Sequence, residues 1–440
     1  MSTSTAGSAL TRRSFLGLAG AGMATAALAA CSSGGTGGKS APGILKFWNM
    51  PDGGPSFLTL DKKITAAYKP ASGLPKVSYQ QIPWANFNQT FSSAVVSKTG
   101  PAVSGGGGTQ AFQFAKQGYI AYADDLLDSW KSDGLYDDFL PGLIDTMKTE
   151  KGYVAVPYNL DMRVLWYNKA LLEKAGAEAP TDWQSYLDAA AALKKLGVYG
   201  FSISSNSSGG DGFQALTGIM INNGGGLFDE EQKPNCVTQA NIEALEWVVE
   251  MVKKGYVDPG NLGYSTSNTN SQWGAGTCAM GWDVPGLRQN VTGSVQDDLV
   301  VGDPPVSAAG KKGALYFPNN LMMYTNTPSQ KGSEAFLTYY YKHMAPLWTQ
   351  KTGIGLPVLR SIAETKEFRS DPNSVKMIEE WQPICKTWAA PGGSALFANV
   401  SLVDSTTPMT TFGQTLISLK ATPKEALQTL QSTLESQLKK

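Results

Sequence analysis

Histidine is almost missing from this chain. His343 is the only one in 440 residues, and the four cysteines form no Cys-x-x-Cys pair. Such a sequence offers no metal-ligand spacing, so neither a metal nor another cofactor is expected. Net charge is equally scant: Lys plus Arg and Asp plus Glu balance at 36 each. No basic face presents itself to nucleic acid or to an anionic membrane surface. Past residue 30 arginine occurs only at Arg163, Arg288, Arg360 and Arg369. A site that clamps phosphates or carboxylates wants bidentate guanidiniums, so this scarcity favours a neutral polar ligand. Long apolar runs are absent too. Residues 14–30 are short and rich in Gly and Ala, whereas a spanning helix wants about 20 strongly apolar residues.

What is present begins with an address. Arg12-Arg13 precedes that mildly apolar run, which closes in Leu28-Ala29-Ala30-Cys31. This is the pattern of a twin-arginine export signal over residues 1–30 with a lipid-attachment point at Cys31. The mature chain is therefore expected outside the cytoplasm, anchored to the cell membrane through lipid on Cys31. Residues 31–42, rich in Ser and Gly, read as a flexible lipidated linker. Beyond it, Cys236, Cys278 and Cys385 allow either one disulfide or three buried thiols. Eleven Trp and seventeen Tyr supply faces for stacking as well as core area. The length past the linker exceeds one ordinary core, so at least two domains are expected.

Strand and helix signals alternate from residue 44 onward, which predicts an α/β fold with a parallel-type sheet. Strands are expected near Ile44–Trp48 and Val77–Ile82, with helices over 56–69, 86–98 and 109–117. Thr181 with Gln184 reads as a capping box, Thr238 as a second helix start, and Thr422-Pro423 with Glu425 as a third.

One segment carries a resemblance. It comprises Lys151–Pro157, then Leu165-Trp166-Tyr167-Asn168-Lys169 through Gly176, then Pro180–Trp183. It is similar to the central signature of the family-one extracellular solute-binding proteins of bacterial ABC importers. Phe47-Trp48-Asn49, Asn222–Phe228, Gly274–Met280 and Pro423–Leu430 support it in the same order. The resemblance implies a two-lobed periplasmic-binding-protein fold, type II-like, with the ligand in a cleft between lobes joined by a hinge. Lobe one is expected over 43–155 plus 304–326, and lobe two over 157–302 plus 328–440. The chain would cross at Val156-Pro157, near Asp303–Pro305 and near Tyr324–Thr327. It also implies a monomer that captures a neutral sugar or oligosaccharide and hands it to ABC permease subunits.

Sugar recognition wants planar polar groups for hydroxyls and aromatic faces for the apolar sides of the ring. Loop positions nominate Asn49 and Asp52 after the first strand, and Asp211 and Phe213 after a Ser/Gly loop. Strand alternation nominates Trp282 and Asp283, with one of them facing the core. The expected third crossing adds Asn319 and Asn320. By the resemblance, Thr109 and Gln110 beside Gly105–Gly108, Trp84, the hinge residue Asp161, and the stretch from Trp388 to Asp404 join the site. Trp166, Trp183, Trp247 and Tyr186 are expected in the core, and His343 at the surface or satisfied inside. The rival reading is a secreted glycoside hydrolase using Asp161 and Asp283 as its carboxyl pair. A non-sugar solute such as a polyamine or a phosphate ester is a further alternative.

Overall fold

The computed structural model describes residues 43–439 except 85, 86, 207–210, 394 and 405; of Asp211 it describes the backbone alone. The export signal, Cys31 and the linker lie outside the described residues. No described helix is long and apolar enough to cross a membrane.

The elements that build the site are these, in chain order. β1 is Leu45–Asn49, α1 Pro55–Ala66, β2 Val77–Gln81, α2 Phe87–Val96, β3 Val103–Gly106 and α3 Gln110–Lys116. β4 (Val156–Met162) and β5 (Val164–Asn168) follow, then the helices α4 (Trp183–Lys195), α5 (Asp211–Asn222) and α6 (Gln239–Lys253). Next come β6 (Met280–Asp283), β7 (Leu299–Val301), the long β8 (Ala314–Tyr324), α7 (Gln330–His343) and β9 (Leu356–Pro357). α8 (Thr407–Ile417) and α9 (Pro423–Leu438) close the chain.

The larger sheet runs β9-β4-β8-β3-β1-β2. Within it β1 is parallel to β2 and β3, while β8 is antiparallel to β3 and β4. The smaller sheet runs β7-β5-β6, both outer strands antiparallel to β5. Each of the expected helices forms. At α4 the cap is Asp182 with Ser185, one residue beyond the predicted Thr181, because the Asp182 carboxylate takes the Ser185 N–H. Thr238 and the Thr422–Glu425 box cap α6 and α9 as read.

Two crossing points move. Pairing with β8 keeps Val156–Met162 in the larger sheet, so the chain changes sheet at Arg163 rather than at Val156-Pro157. Pro157 instead opposes Asn320, beside the register shift between Asn319 and Asn320, where a strand tolerates a residue without N–H. Nor does the chain cross near Tyr324–Thr327. α7 packs on β1, with Phe336 and Tyr340 edge-on to Phe47 at 5.0 and 5.4 Å. Residues 330–343 and 356–357, expected in the second lobe, therefore lie with the first sheet.

The second sheet has its own aromatic core. Tyr186 stacks on Trp282 at 5.4 Å, Trp183 on Trp247 at 4.8 Å, and Trp247 meets Trp282 edge-on at 6.0 Å. Trp166 is buried as well, in line with the sequence reading. His343 is exposed, its Nδ1 2.7 Å from the Tyr339 carbonyl. The three described cysteines are free thiols.

Candidate ligand-binding site

A cavity of about 680 Å³ opens between the two sheets, within the range of about 300–1,000 Å³ usual for small-ligand sites. Its position follows from topology. The loops leaving the carboxyl ends of parallel β1, β2 and β3 supply Pro51–Gly53, Trp84 and Gly107-Gly108. Ligands in α/β layers gather where such strand ends point. The opposite wall comes from Phe213 and Gln214 in the first turn of α5, Val284–Gly286 after β6, and Thr406, Thr407 and Thr410 entering α8.

The floor is a cross-strand ladder. Asn159, Asp161 and Arg163 alternate along the chain, and on β8 Phe317 opposes Asp161 while Asn319 opposes Asn159. All five line the cavity. Asn319 Nδ2 donates to Asn159 Oδ1 at 3.3 Å. Arg163, buried at the sheet change, donates through Nη1 to both Asp161 oxygens at 2.9 Å and to the Met162 carbonyl at 3.0 Å. Its Nη2 donates to Gln214 Oε1, and its guanidinium lies 5.0 Å over the Phe317 ring. One arginine thus ties the end of the larger sheet to a helix of the other wall.

Of the nominated residues, Asp52, Trp84, Asp161, Phe213, Asn319 and Asp404 line the cavity. Trp84 is 36% exposed, held by Nε1 donating to the Pro51 carbonyl at 3.2 Å. Asp404 is buried and takes the Thr109 hydroxyl at 3.1 Å. Thr109 therefore positions Asp404 and does not line the cavity itself. Burial, then the charges of Asp61 and Asp161, hold the half-buried Asp52 carboxyl well above the ordinary carboxylate value.

The other nominated residues serve elsewhere. Asn49 is wholly buried and donates to Asp61 Oδ2 at 2.8 Å; it supports the floor from below. Trp282 belongs to the aromatic core described above. Asp283 accepts from Trp273 Nε1 at 3.2 Å and from the Val284 N–H at 2.8 Å, and lies behind the wall. Asn320 sits across the register shift, its Nδ2 3.3 Å from the Gly108 carbonyl. Gln110 is buried with neither end of its amide partnered among the described residues. The Asp211 side chain lies outside the described residues. Trp388 backs the site, 6.2 Å from Phe213 and 5.6 Å from Phe317. The glycine run divides as well. Gly105 and Gly106 end β3, where a Cβ would collide with Asn49 and Gln110 respectively; Gly107 and Gly108 line the cavity.

Sequence reasoning missed Asn159, Arg163, Phe317, Phe87 and Gln214. For three of these a signal existed. Once Asp161 is placed, the period of two puts Asn159 and Arg163 on its face, and Asn319 likewise carries Phe317. Phe87 and Gln214 reach the cavity from helix first turns, which only packing reveals.

A family model described as bacterial extracellular solute-binding protein matches residues 53–345. The chain belongs to that family. Among solved structures, a sugar transporter of Arthrobacter chlorophenolicus with bound laminaribiose is 46% identical, covering 89% of this chain and 99% of its own at TM-score 0.85. The GacH receptor of Streptomyces glaucescens is 22% identical, covering 91% and 99% at TM-score 0.74, and shares the fold. A mannitol-binding protein of Pseudomonas aeruginosa is 24% identical over 47% of this chain and 49% of its own. The two-lobed periplasmic-binding-protein fold expected from the sequence is the fold of this solute-binding protein.

Proposed function

We propose that this protein is the lipid-anchored receptor of an ABC importer, capturing a neutral di- or oligosaccharide between its lobes and delivering it to a membrane permease. The carrying observation is the cavity wall itself. Trp84, Phe87, Phe213 and Phe317 offer ring faces, while Asn159, Asn319, Gln214, Asp161 and Asp404 offer planar polar groups between them. That mixture suits a ring whose faces are apolar and whose rim is hydroxylated. The laminaribiose bound by the 46% identical transporter makes that disaccharide the first ligand to try. The reading also takes Arg12-Arg13 as the export signal and Cys31 as the tether.

Closure of the lobes buries the sugar, and the closed shape is what the permease would recognise. The hydrolase reading loses ground, because Asp283 is not among the residues lining the cavity that Asp161 faces. A thermal-shift panel of laminaribiose, other disaccharides, mannitol, a polyamine and a sugar phosphate tests the proposal. A bound sugar at about 100 times its Kd should add about 2.7 kcal/mol to the native state. A shift with the polyamine or the phosphate ester alone would replace the sugar reading. Recovery of cleaved sugar would restore the hydrolase.

A further inference from the structure

Among the described residues, three carboxylates line the cavity, Asp52, Asp161 and Asp404, against one cation, Arg163. Two of the three are engaged. Asp161 is paired with Arg163, and Asp404 takes the Thr109 hydroxyl. The Asp52 carboxyl takes no hydrogen bond and no ion pair among the described residues. Its loop is nonetheless fixed: Gly54 N–H donates to the Thr352 carbonyl at 2.7 Å, and Trp84 Nε1 holds the Pro51 carbonyl.

Among the described residues, the side chains around Asp52 are negative or neutral. Beneath it, α1 presents Asp61, fully buried and bonded to Asn49 and to the Tyr340 hydroxyl of α7. β4 presents Asp161 and Tyr158, and β2 presents Tyr79. The charge of Arg163 is spent on Asp161. The segment 352–355 packed against Gly53 carries no charged residue, and its neighbour Lys351 is exposed. An ionised Asp52 would be a further negative charge in a partly dehydrated cleft without a counterion, the arrangement that favours the neutral acid.

A second observation points to the same ligand chemistry. Asn159 is 1% exposed and lines the cavity, and its Nδ2 has no partner among the described residues. The cavity thus holds an unused amide donor as well, and a neutral Asp52 adds an O–H to it. Both would be satisfied by acceptor oxygens such as those of a sugar.

We propose that Asp52 enters ligand binding as a protonated, hydrogen-bond-donating carboxyl, so that sugar capture is linked to proton uptake at this residue and weakens as the pH rises. This rests on the sugar-binding reading above. The proton comes from solvent when Asp52 is ionised in the empty protein, and returns to solvent on release. A receptor outside the cytoplasm would then bind more tightly in acidified surroundings.

The test is calorimetric titration of the mature protein with laminaribiose from about pH 5 to about pH 9, in buffers of differing ionisation enthalpy. The expected result is a Kd that rises with pH, approaching about tenfold per unit once the empty protein has lost the Asp52 proton. Uptake approaching one proton per sugar should accompany it. Asp52→Asn, neutral at every pH, removes both the slope and the uptake. A wild-type Kd flat across the range overturns the proposal, as does a slope that survives in Asp52→Asn. Tighter binding of an amino sugar as the pH rises would do the same, because it requires the ionised carboxylate as partner. Should the variant fail to fold, proton counting on the wild type alone decides. Absence of sugar binding at every pH overturns the functional reading itself, whereas pH-independent binding overturns this inference alone.

Discussion

Arg163→Met is the substitution that most directly tests how the cleft is held. The guanidinium is 3% exposed and makes contacts with Asp161, the Met162 carbonyl, Gln214 and the face of Phe317. Removing one partner of a buried ion pair costs about 3–5 kcal/mol, because the other charge is left without compensation. Asp161, however, is 24% exposed at the cavity, and recovered hydration should reduce the cost to about 2–3 kcal/mol. Asp161→Asn keeps a planar acceptor but leaves the more deeply buried guanidinium without its counter-charge, and should cost about 3–5 kcal/mol. If the pair is coupled as its geometry implies, the double variant falls short of the sum by about 1 kcal/mol or more. Urea unfolding followed by tryptophan fluorescence gives the three values, and ligand titration gives the affinities. A lone hinge carboxylate facing the ligand would, on Asp161→Ala, lose affinity with little loss of stability. The ion pair changes that: both should fall. An Arg163→Met protein within about 0.5 kcal/mol of wild type would refute the view that this residue ties the two walls together.

Other outcomes follow from the same contacts. Trp84→Ala should weaken sugar binding roughly tenfold, about 1.4 kcal/mol, while leaving the melting temperature of the empty protein nearly unchanged; an equal fall in both would mean Trp84 is only packing. Trp282→Ala should cost about 3–5 kcal/mol of stability without altering which sugars bind, as checked by unfolding and the ligand panel. Burial raises the Asp61 carboxyl, with the Tyr340 and Asn49 hydrogen bonds opposing. A group raised in the folded state contributes stability below its unfolded value and loses it as the pH climbs through the folded one. Melting temperature should therefore decline above about pH 4, and Asp61→Asn should flatten that decline. Burial pushes the Cys236 and Cys278 thiols up to about 12, so at neutral pH neither should react with an alkylating reagent until the protein is unfolded, as peptide mapping would show.

Much of this architecture was legible in the sequence, for local reasons. Thr422, Pro423 and Glu425 cap a helix wherever they occur in that order, and the box forms as read. Alternation of strands and helices marked the α/β class, and the signature at 151–183 marked the family. The candidate site was legible at its loops. Asp52, Trp84 and Phe213 follow breaks in the chain, and each lines the cavity. It was less legible on strands, where one residue of shift exchanges cavity for core. Asn319 faces the cavity and Asn320 does not, and the register shift between them leaves no mark in the sequence.

Composition and motif thus determined the class of fold, the near absence of charge bias and the kind of chemistry on offer. Which polar groups face the ligand was decided only when distant segments met. Arg163 gained Gln214, Asp404 gained Thr109, and Asn49 was drawn under the floor to Asp61. Among the described residues, Asp52 was left beside negative neighbours with no cation of its own. Local sequence sets dihedral preference and polarity, but desolvation and charge pairing depend on neighbours from elsewhere in the chain, and those exist only in the folded protein.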